Sequence, residues 1–336
     1  MKVLVTGASG FLGQAVCRKL MSQGDSVIGL GRRPPHETSL VEIGVDYQQV
    51  ELNEIKSLDR CLDGVDSVIH CAALSSTWGK FQNFYQSNVL GTENIANLCI
   101  QRNIRRFVHV SSPSIYFEMK DRFNITENEK IPKNSVNDYA KTKLMAEEVV
   151  DRAVASGLAA ITIRPQAIFG PHDPAIIPRL ILSNETTGIP LPKDKKIWLD
   201  ITYVDNVADS LLLALQAKES CIGKKYNITN GEPIELRSFL QNLFKQMDRP
   251  FKEINVPFPI IFSAAQISEV FHKVLMPNVE PRLTKYSVGV LNFSRTLDIS
   301  AAKLELGYTP KISINDGVLQ FLTWWKRKTS DRRGEL

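Results

Sequence analysis

Short, β-branched apolar runs alternate along the first half of the chain with stretches whose apolar residues recur at helical spacing. Lys2–Thr6 (KVLVT), Ser26–Leu30 (SVIGL), Tyr47–Leu52, Ser67–Cys71 (SVIHC), Arg106–Val110 (RFVHV) and Ala160–Arg164 read as buried strands. Between them, Phe11–Gln23 sets Leu12, Ala15, Val16 and Leu20 on one face and is stopped by Gly24. Lys56–Leu62 predicts a short helix and Phe81–Asn103 a long one. A helix from about Asn137 to Ser156 has Val149, Val150, Ala153 and Val154 on its later apolar face. This alternation predicts an α/β fold, a doubly wound parallel sheet with helices on both faces.

After Arg164-Pro165 the rhythm changes. Pro171, Pro174, Pro178, Pro190 and Pro192 mark loops and short elements. Asp200–Val204 and Lys225–Thr229 return as short strands, and Val204–Ala217 and Leu236–Met247 as helices. A further helix is expected near Ile260–Leu275, and two short ones near 298–306 and 313–328. The second half thus predicts a smaller C-terminal α/β domain packed over the sheet. Substrates of open α/β sheets bind outside the carboxyl ends of the strands. Residues 256–276 are apolar enough to line a hydrocarbon pocket there, or to form ordinary core.

The first thirteen residues add chemistry to this pattern. Gly7-x-x-Gly10-x-x-Gly13 stands directly between the first strand and the first helix. Glycine lets backbone N–H groups approach two phosphates, and the first helical turn offers unpaired N–H groups and a favourable dipole. The first half is therefore a Rossmann-type dinucleotide-binding unit. The expected limits are 1–170 for that domain with returning segments near 200–230, 171–199 and 231–330 for the substrate-binding domain, and 331–336 for a tail. The end of the second strand selects the cofactor. Gly31 stands where an acidic residue would hold both ribose hydroxyls, and Arg32 and Arg33 follow. Two guanidiniums and no carboxylate suit a 2′-phosphate, so NADP is expected in preference to NAD, with Arg32 and Arg33 as phosphate ligands.

Composition narrows the partners. Of 336 residues 43% are hydrophobic and 23% charged, and 41 Lys+Arg against 36 Asp+Glu give a net charge of +5. That mild excess, part of it at Lys326, Arg327, Lys328, Arg332 and Arg333, fits an anionic cofactor and requires no nucleic acid. Cys17, Cys61, Cys71, Cys99 and Cys221 are scattered, with no C-x-x-C pair and no metal-ligand set, which predicts free thiols in a reducing, cytoplasmic setting. No signal peptide precedes the first strand and no apolar run is long enough to span a bilayer, which leaves peripheral membrane contact open.

Tyr139 and Lys143, four residues apart on a predicted helix, share one face. A phenol of ordinary pKa about 10 is a poor acid–base group at neutral pH, and a nearby ammonium lowers it. So tuned, it can exchange a proton with a substrate oxygen while a nicotinamide exchanges hydride with the carbon. Ser112, at the end of the fifth strand, can hold the same oxygen.

Together, TGASGFLG (6–13), HCAA (70–73), SNVLGTEN (87–94), VSSPSIYF (110–117), YAKTK (139–143), RPQAIFGP (164–171), ITYVDNVADSLLLAL (201–215), YNITNG (226–231) and LELGYTP (304–310) resemble the extended short-chain dehydrogenases/reductases nearly end to end. The resemblance implies Tyr139 as general acid/base, Lys143 on the nicotinamide ribose, Ser112 (with Ser114 as the second candidate) polarising the substrate oxygen, and Asn88 supporting the lysine side. It also places Gly7, Ser9, Gly10, Phe11, Leu12, Gly13, Leu52, Cys71, Ala72, Ala73, Tyr139, Lys143, Pro165 and Ile168 against the cofactor, and Glu51 at the adenine. It implies a homodimer built from the helices that carry Asn88 and Tyr139.

Two branches of that superfamily compete. Phe117 replaces the glycine of the sugar enzymes' S-x-x-V-Y-G, VEPRLTKYSVGVL (279–291) resembles the other branch, and 256–276 is apolar. These features favour likeness to 3β-hydroxysteroid dehydrogenases and 2-alkyl-3-oxoalkanoate reductases, hence reduction of a ketone on an apolar small molecule. The alternative is a nucleotide-sugar epimerase, dehydratase or reductase, whose diphosphate would meet Arg179 and Arg282. Phe169 departs from the usual Y-G-P, and Gly31 from the NAD-type acid.

Overall fold

The computed structural model describes the backbone of residues 1–334 and the side chains through Ser330. The expected tail at 331–336 falls partly outside it: its backbone is helical to Gly334, and the side chains of Arg332 and Arg333 lie outside the described residues. The chain runs β1 (Lys2–Thr6), α1 (Phe11–Ser22), β2 (Ser26–Gly31), β3 (Asp46–Gln49), α2 (Ile55–Cys61) and β4 (Ser67–His70). Then α3 (Phe81–Phe84) passes through a π-helical turn (Tyr85–Leu90) into α4 (Gly91–Gln101), followed by β5 (Arg106–Val110), β6 (Arg122–Ile125), α5 (Asp138–Ala155) and β7 (Ala160–Pro165). The second half holds β8 (Ile168–Phe169), α6 (Ile176–Thr186), β9 (Ile189–Pro190), β10 (Trp198–Leu199), β11 (Thr202–Tyr203), α7 (Val204–Gln216), β12 (Lys225–Ile228), β13 (Ile234–Glu235) and α8 (Leu236–Gln246). It ends with β14 (Glu253–Ile254), α9 (Phe258–Leu275), α10 (Lys285–Asn292), β15 (Arg295–Leu297), α11 (Ser300–Leu306) and α12 (Ile314–Gly334).

Seven strands form one parallel sheet in the order β12-β7-β5-β4-β1-β2-β3. The chain winds outward from β1 through β2 to β3, then crosses over and winds the other way from β4. The crevice between β1 and β4 is therefore the topological switch point, where open α/β sheets bind ligands. Strand alternation divides the core. Val3 and Val5 join Val16 and Leu20 of α1 and Val207 and Leu211 of α7 on one face. Leu4 faces the other way, with Leu58 of α2, Ile95 of α4, and Phe107. This is the expected α/β fold, a Rossmann-type sheet covered on both faces.

Strands of the second half join β6 of the first in a four-stranded sheet, β13-β10-β15-β6, and form two strand pairs, β8/β11 and β9/β14. Several of these elements exceed the sequence reading. Prolines that read as loop punctuation stand in first helical turns instead: Pro178 in α6, Pro259 in α9. There a missing N–H costs nothing. Two-residue strands are too short to show a period. The helix expected over 81–103 is broken by its π turn, which an apolar pattern does not reveal.

Residues 256–276 are only in part core: in α9 Ile261 and Ala265 are buried, while Ile260, Ile267, Val270 and Val274 are exposed. No helix among the described residues is long and apolar enough to cross a membrane. All five cysteines are free thiols.

Candidate active site

The glycine turn after β1 is shaped by contacts that exclude any side chain. Gly7 has φ +67°, and a Cβ there would stand 2.8 Å from Ala72 Cα and N, so the turn lies directly against the backbone leaving β4. A Cβ on Gly13 would meet the Gly7 carbonyl and Ala8 Cα. Gly13 thus lets α1 dock on the turn that it follows. Gly10 N–H donates to the Gly7 carbonyl at 2.9 Å and closes the turn. At the N-cap of α1, Gly10 offers no side-chain oxygen, and the first turn holds no acidic residue. The N–H groups of that turn are left to an outside acceptor, and the helix dipole favours an anion. Ser9 is buried beneath; Phe11 and Leu12 are half-buried.

Opposite the turn, Thr6 Oγ1 accepts from Ala72 N–H (3.2 Å) and bonds His70 Nδ1 (2.7 Å), and His70 Nε2 reaches Thr92 Oγ1 (3.0 Å). This network fixes Cys71, Ala72 and Ala73, all partly exposed, at the switch point. The cradle, with its undirected N–H groups, fits a dinucleotide pyrophosphate.

At the end of β2, a Cβ on Gly31 would fall within 2.6 Å of Ser9 Oγ and against the Tyr47 hydroxyl, so the fold has no room for an acidic side chain there. The Arg32 and Arg33 carbonyls accept from Gln49 Nε2 and the Tyr47 hydroxyl, both at 3.0 Å. The backbone is thereby pinned while both guanidinium side chains stand exposed, with no acidic partner among the described residues. Glu51 is exposed; Leu52 packs on Gly91.

Ser112 follows β5 and caps a 3₁₀ turn, accepting from Ser114 N–H (3.2 Å) and donating to Ser114 Oγ (3.0 Å). Asn137 caps α5 and aims its first turn at the ends of β4 and β5. Tyr139 and Lys143 lie one turn apart on that helix. Burial pushes the Tyr139 phenol up to about 12; Ser112 opposes that shift and the Tyr286 phenol of α10 adds to it. Ser112 is thus close to Tyr139, while its own hydroxyl is donated to Ser114. Lys143 is buried and donates to the Val110 carbonyl at 2.6 Å, not to the phenol. A desolvated ammonium takes the acceptor at hand, and burial lowers Lys143 to about 8.

Asn88 sits in the π turn. Its Oδ1 accepts from Leu74 N–H (2.7 Å), and its Nδ2 donates to the Leu74 carbonyl (3.3 Å) and Thr142 Oγ1 (3.1 Å). It steadies the loop after β4 and the residue beside Lys143, not the lysine itself. Pro165 ends β7 buried, and Ile168 is half-buried. Between them Ala167 holds φ +42°, an uncommon backbone for alanine at a strand end facing the site. The buried Ser111 hydroxyl has no partner among the described residues.

Sequence reasoning missed the tie that holds this edge together. Arg164 of β7 pairs with Glu147 of α5 through Nε–Oε1 (2.8 Å) and Nη2–Oε2 (2.5 Å), both side chains 2% exposed, and Nη1 also bonds the Tyr116 hydroxyl. Serine turn, helix and strand are thus locked to one guanidinium. RPQAIFGP contains Arg164 and SSPSIYF contains Tyr116, but Glu147 lies in neither motif and nothing in the sequence announces the pairing. Arg179, one of the two cations expected to meet a diphosphate, is held by Glu280 at 3.0 and 2.8 Å, and Thr77 donates to the same carboxylate.

Comparison with known proteins agrees with this geometry. The model of the NAD dependent epimerase/dehydratase family matches residues 3–229. The chain is 32% identical over 323 residues to a 2-alkyl-3-oxoalkanoate reductase of Stenotrophomonas maltophilia, covering 95% of this chain and 97% of that one. It is 28% identical to human sterol-4-alpha-carboxylate 3-dehydrogenase, decarboxylating, covering 94% and 85%. A crystal structure of UDP-glucuronic acid 4-epimerase from Bacillus cereus in complex with NAD superposes with a TM-score of 0.76 over 97% of this chain and 99% of that one, at 23% identity, a likeness of fold.

Proposed function

Because the chain belongs to the NAD dependent epimerase/dehydratase family, we propose that it is an NADP-dependent ketoreductase of the extended short-chain type, acting on an apolar substrate whose ketone lies next to a carbon bearing a carboxylate. The observation that carries the reading is the side-chain-free glycine cradle at the switch point of the sheet, and Tyr139, with Ser112 close by, supports the proton transfer. The substrate class takes its support from the two named relatives. A 2-alkyl-3-oxoalkanoate and a sterol-4-alpha-carboxylate both place a carbon–oxygen centre beside a carboxylate-bearing carbon on a large hydrocarbon body.

Bound over Gly7, Gly10 and Gly13, with its 2′-phosphate at Arg32 and Arg33, the dinucleotide would supply hydride to the substrate carbon. Tyr139 delivers the proton to the substrate oxygen, and Ser112 holds that oxygen by a hydrogen bond. Lys143 fixes the floor of the site through Val110 and lies ready for the ribose. Binding of the hydrocarbon body comes from apolar burial at about 25 cal/mol per Å². The protein works as a homodimer through the helices bearing Asn88 and Tyr139, in a reducing cytoplasm that keeps its thiols free. The nucleotide-sugar alternative is the weaker reading: of the two cations expected to meet its diphosphate, Arg179 is held by Glu280 and only Arg282 is left.

The deciding experiment is NADPH oxidation by the purified protein with a 2-alkyl-3-oxo acid, a 3-ketosteroid and a set of nucleotide-sugars, each repeated with NADH. Turnover of an apolar ketone with NADPH preferred is the expected result. Conversion of a nucleotide-sugar alone overturns the proposal.

A further inference from the structure

α9 leaves one side of itself uncovered. Ile261 and Ala265 seat it against Val288, with Val256, Phe258, Phe262 and Leu283 half-buried around them. Away from that seam Ile260 is 62% exposed, Ile267 71%, Val270 62%, Val274 73% and Leu275 64%. Ile260, Ala264, Ile267, Phe271 and Val274 follow one another at three- and four-residue steps, so they form a continuous stripe along a helix of 18 residues, roughly 27 Å. Exposed Met276 and Val279 lie just beyond its end. A soluble protein rarely presents so long an apolar strip to water without a use for it.

The charges left unpaired in this stretch are cationic. Every acidic residue between 252 and 285 is paired: Glu253 with Arg237, Glu269 with Lys285, Glu280 with Arg179. Lys252, Lys273 and Arg282 have no acidic partner among the described residues. At the C-terminal end of the helix, Trp78 meets His272 edge-on (6.4 Å between ring centroids), lies under the Lys273 ammonium, and donates its indole N–H to the Pro277 carbonyl (3.2 Å). An indole and lysines at the margin of an aliphatic face suit the boundary between headgroups and acyl chains.

We propose that α9 docks this protein on the surface of an anionic lipid bilayer, its aliphatic stripe sunk among the acyl chains and Lys252, Lys273 and Arg282 at the phosphates. A second copy of the chain fits less well. A two-fold interface would bring unpaired cations of both copies together with no free carboxylate to meet them. The docked face adjoins the catalytic edge, since Thr77 and Trp78 belong to the loop that Asn88 holds through Leu74. If the proposed apolar substrate is correct, it can enter from lipid; the docking itself does not depend on that reading.

The test is flotation of the full-length protein with vesicles of phosphatidylcholine alone and with about one third phosphatidylglycerol. At least tenfold more protein should float with the anionic vesicles. The double variant Ile267→Glu/Val274→Glu, at open positions, should lose that binding at least tenfold while keeping its melting temperature and its turnover of a soluble ketone. Lys273→Glu should weaken binding alone. Absence of flotation, or flotation untouched by the double variant, overturns the proposal. So does light scattering that shows a wild-type dimer dissociated by the double variant, which would make the stripe a contact between copies.

Discussion

The ammonium of Lys143 donates to the Val110 carbonyl at 2.6 Å and so joins the catalytic helix to the strand that ends in Ser112. Burial lowers this ammonium to about 8, with Glu147 and Cys71 opposing the shift. A lysine is charged below its pKa, so the free enzyme loses this charge as pH rises through about 8. The expected kcat/KM for ketone reduction is flat on the acid side of that value and falls about tenfold per pH unit above it. A pH profile checks this, and Lys143→Met should lower kcat/KM at least 100-fold and abolish the limb. A wild-type profile flat to pH 10 would contradict the assignment.

Tyr139→Phe removes the proposed proton donor and leaves the glycine cradle intact. Turnover should fall by about 10²–10⁴, with NADPH affinity, read by fluorescence titration, within about threefold of wild type. Gly7→Ala should do the reverse. Its Cβ meets Ala72 backbone at 2.8 Å in a left-handed conformation, so cofactor binding should fall at least tenfold and the melting temperature should drop.

The proposed preference for NADP rests on Arg32 and Arg33, whose side chains stand exposed. Replacing Arg32 and Arg33 together by Ala should lower the NADPH/NADH ratio of kcat/KM by about 10–100-fold through NADPH alone. Gly31→Asp should not convert the enzyme to NADH, because Ser9 and Tyr47 fill the space a side chain needs. Loss of both activities with a lower melting temperature is expected instead.

Arg164→Met should cost about 3–5 kcal/mol in urea unfolding, since it strands the buried Glu147 carboxylate. Arg164→Met/Glu147→Leu should recover most of that. If the double variant is stable yet slow, the guanidinium matters for holding the serine turn through Tyr116 and not for stability.

What could be read from the sequence follows the range of the interactions involved. The glycine turn and the strand ends are local, so β1, α1 and β2 and the residues Gly7, Gly10, Gly13, Ser112 and Tyr139 stand near where spacing puts them. The buried Arg164–Glu147 pair joins residues of different elements and leaves no periodic trace. Lys143 fell on the expected helix, but its acceptor, a carbonyl 33 residues away, carries no side-chain signature. Residues 256–276 were legible as apolar and as helical; which side of α9 the protein covers depends on the few residues of one small cluster, Ile261, Ala265 and Val288.

His109 and His70 stack at 5.5 Å in the middle of the sheet, both fully buried. His70 is satisfied by Thr6 and Thr92, and burial lowers it to about 3, with the Lys143 charge adding to the effect. His109 has no partner for either ring nitrogen among the described residues; burial, then Lys143, His70 and Lys225, hold it well below its ordinary value. Both are neutral in the fold and take up protons on unfolding. The unfolded chain thus binds more protons below about pH 6.5, and stability is lost as pH falls from there toward 3, by up to about 1.4 kcal/mol per unit for each histidine. His109→Leu removes an ionisable ring without breaking a hydrogen bond. It should leave stability at pH 7.5 unchanged or higher and make the fall between pH 6.5 and 5 shallower. Urea unfolding across that range is the measurement, and a variant with the wild-type slope would show that His109 is charged in the folded protein.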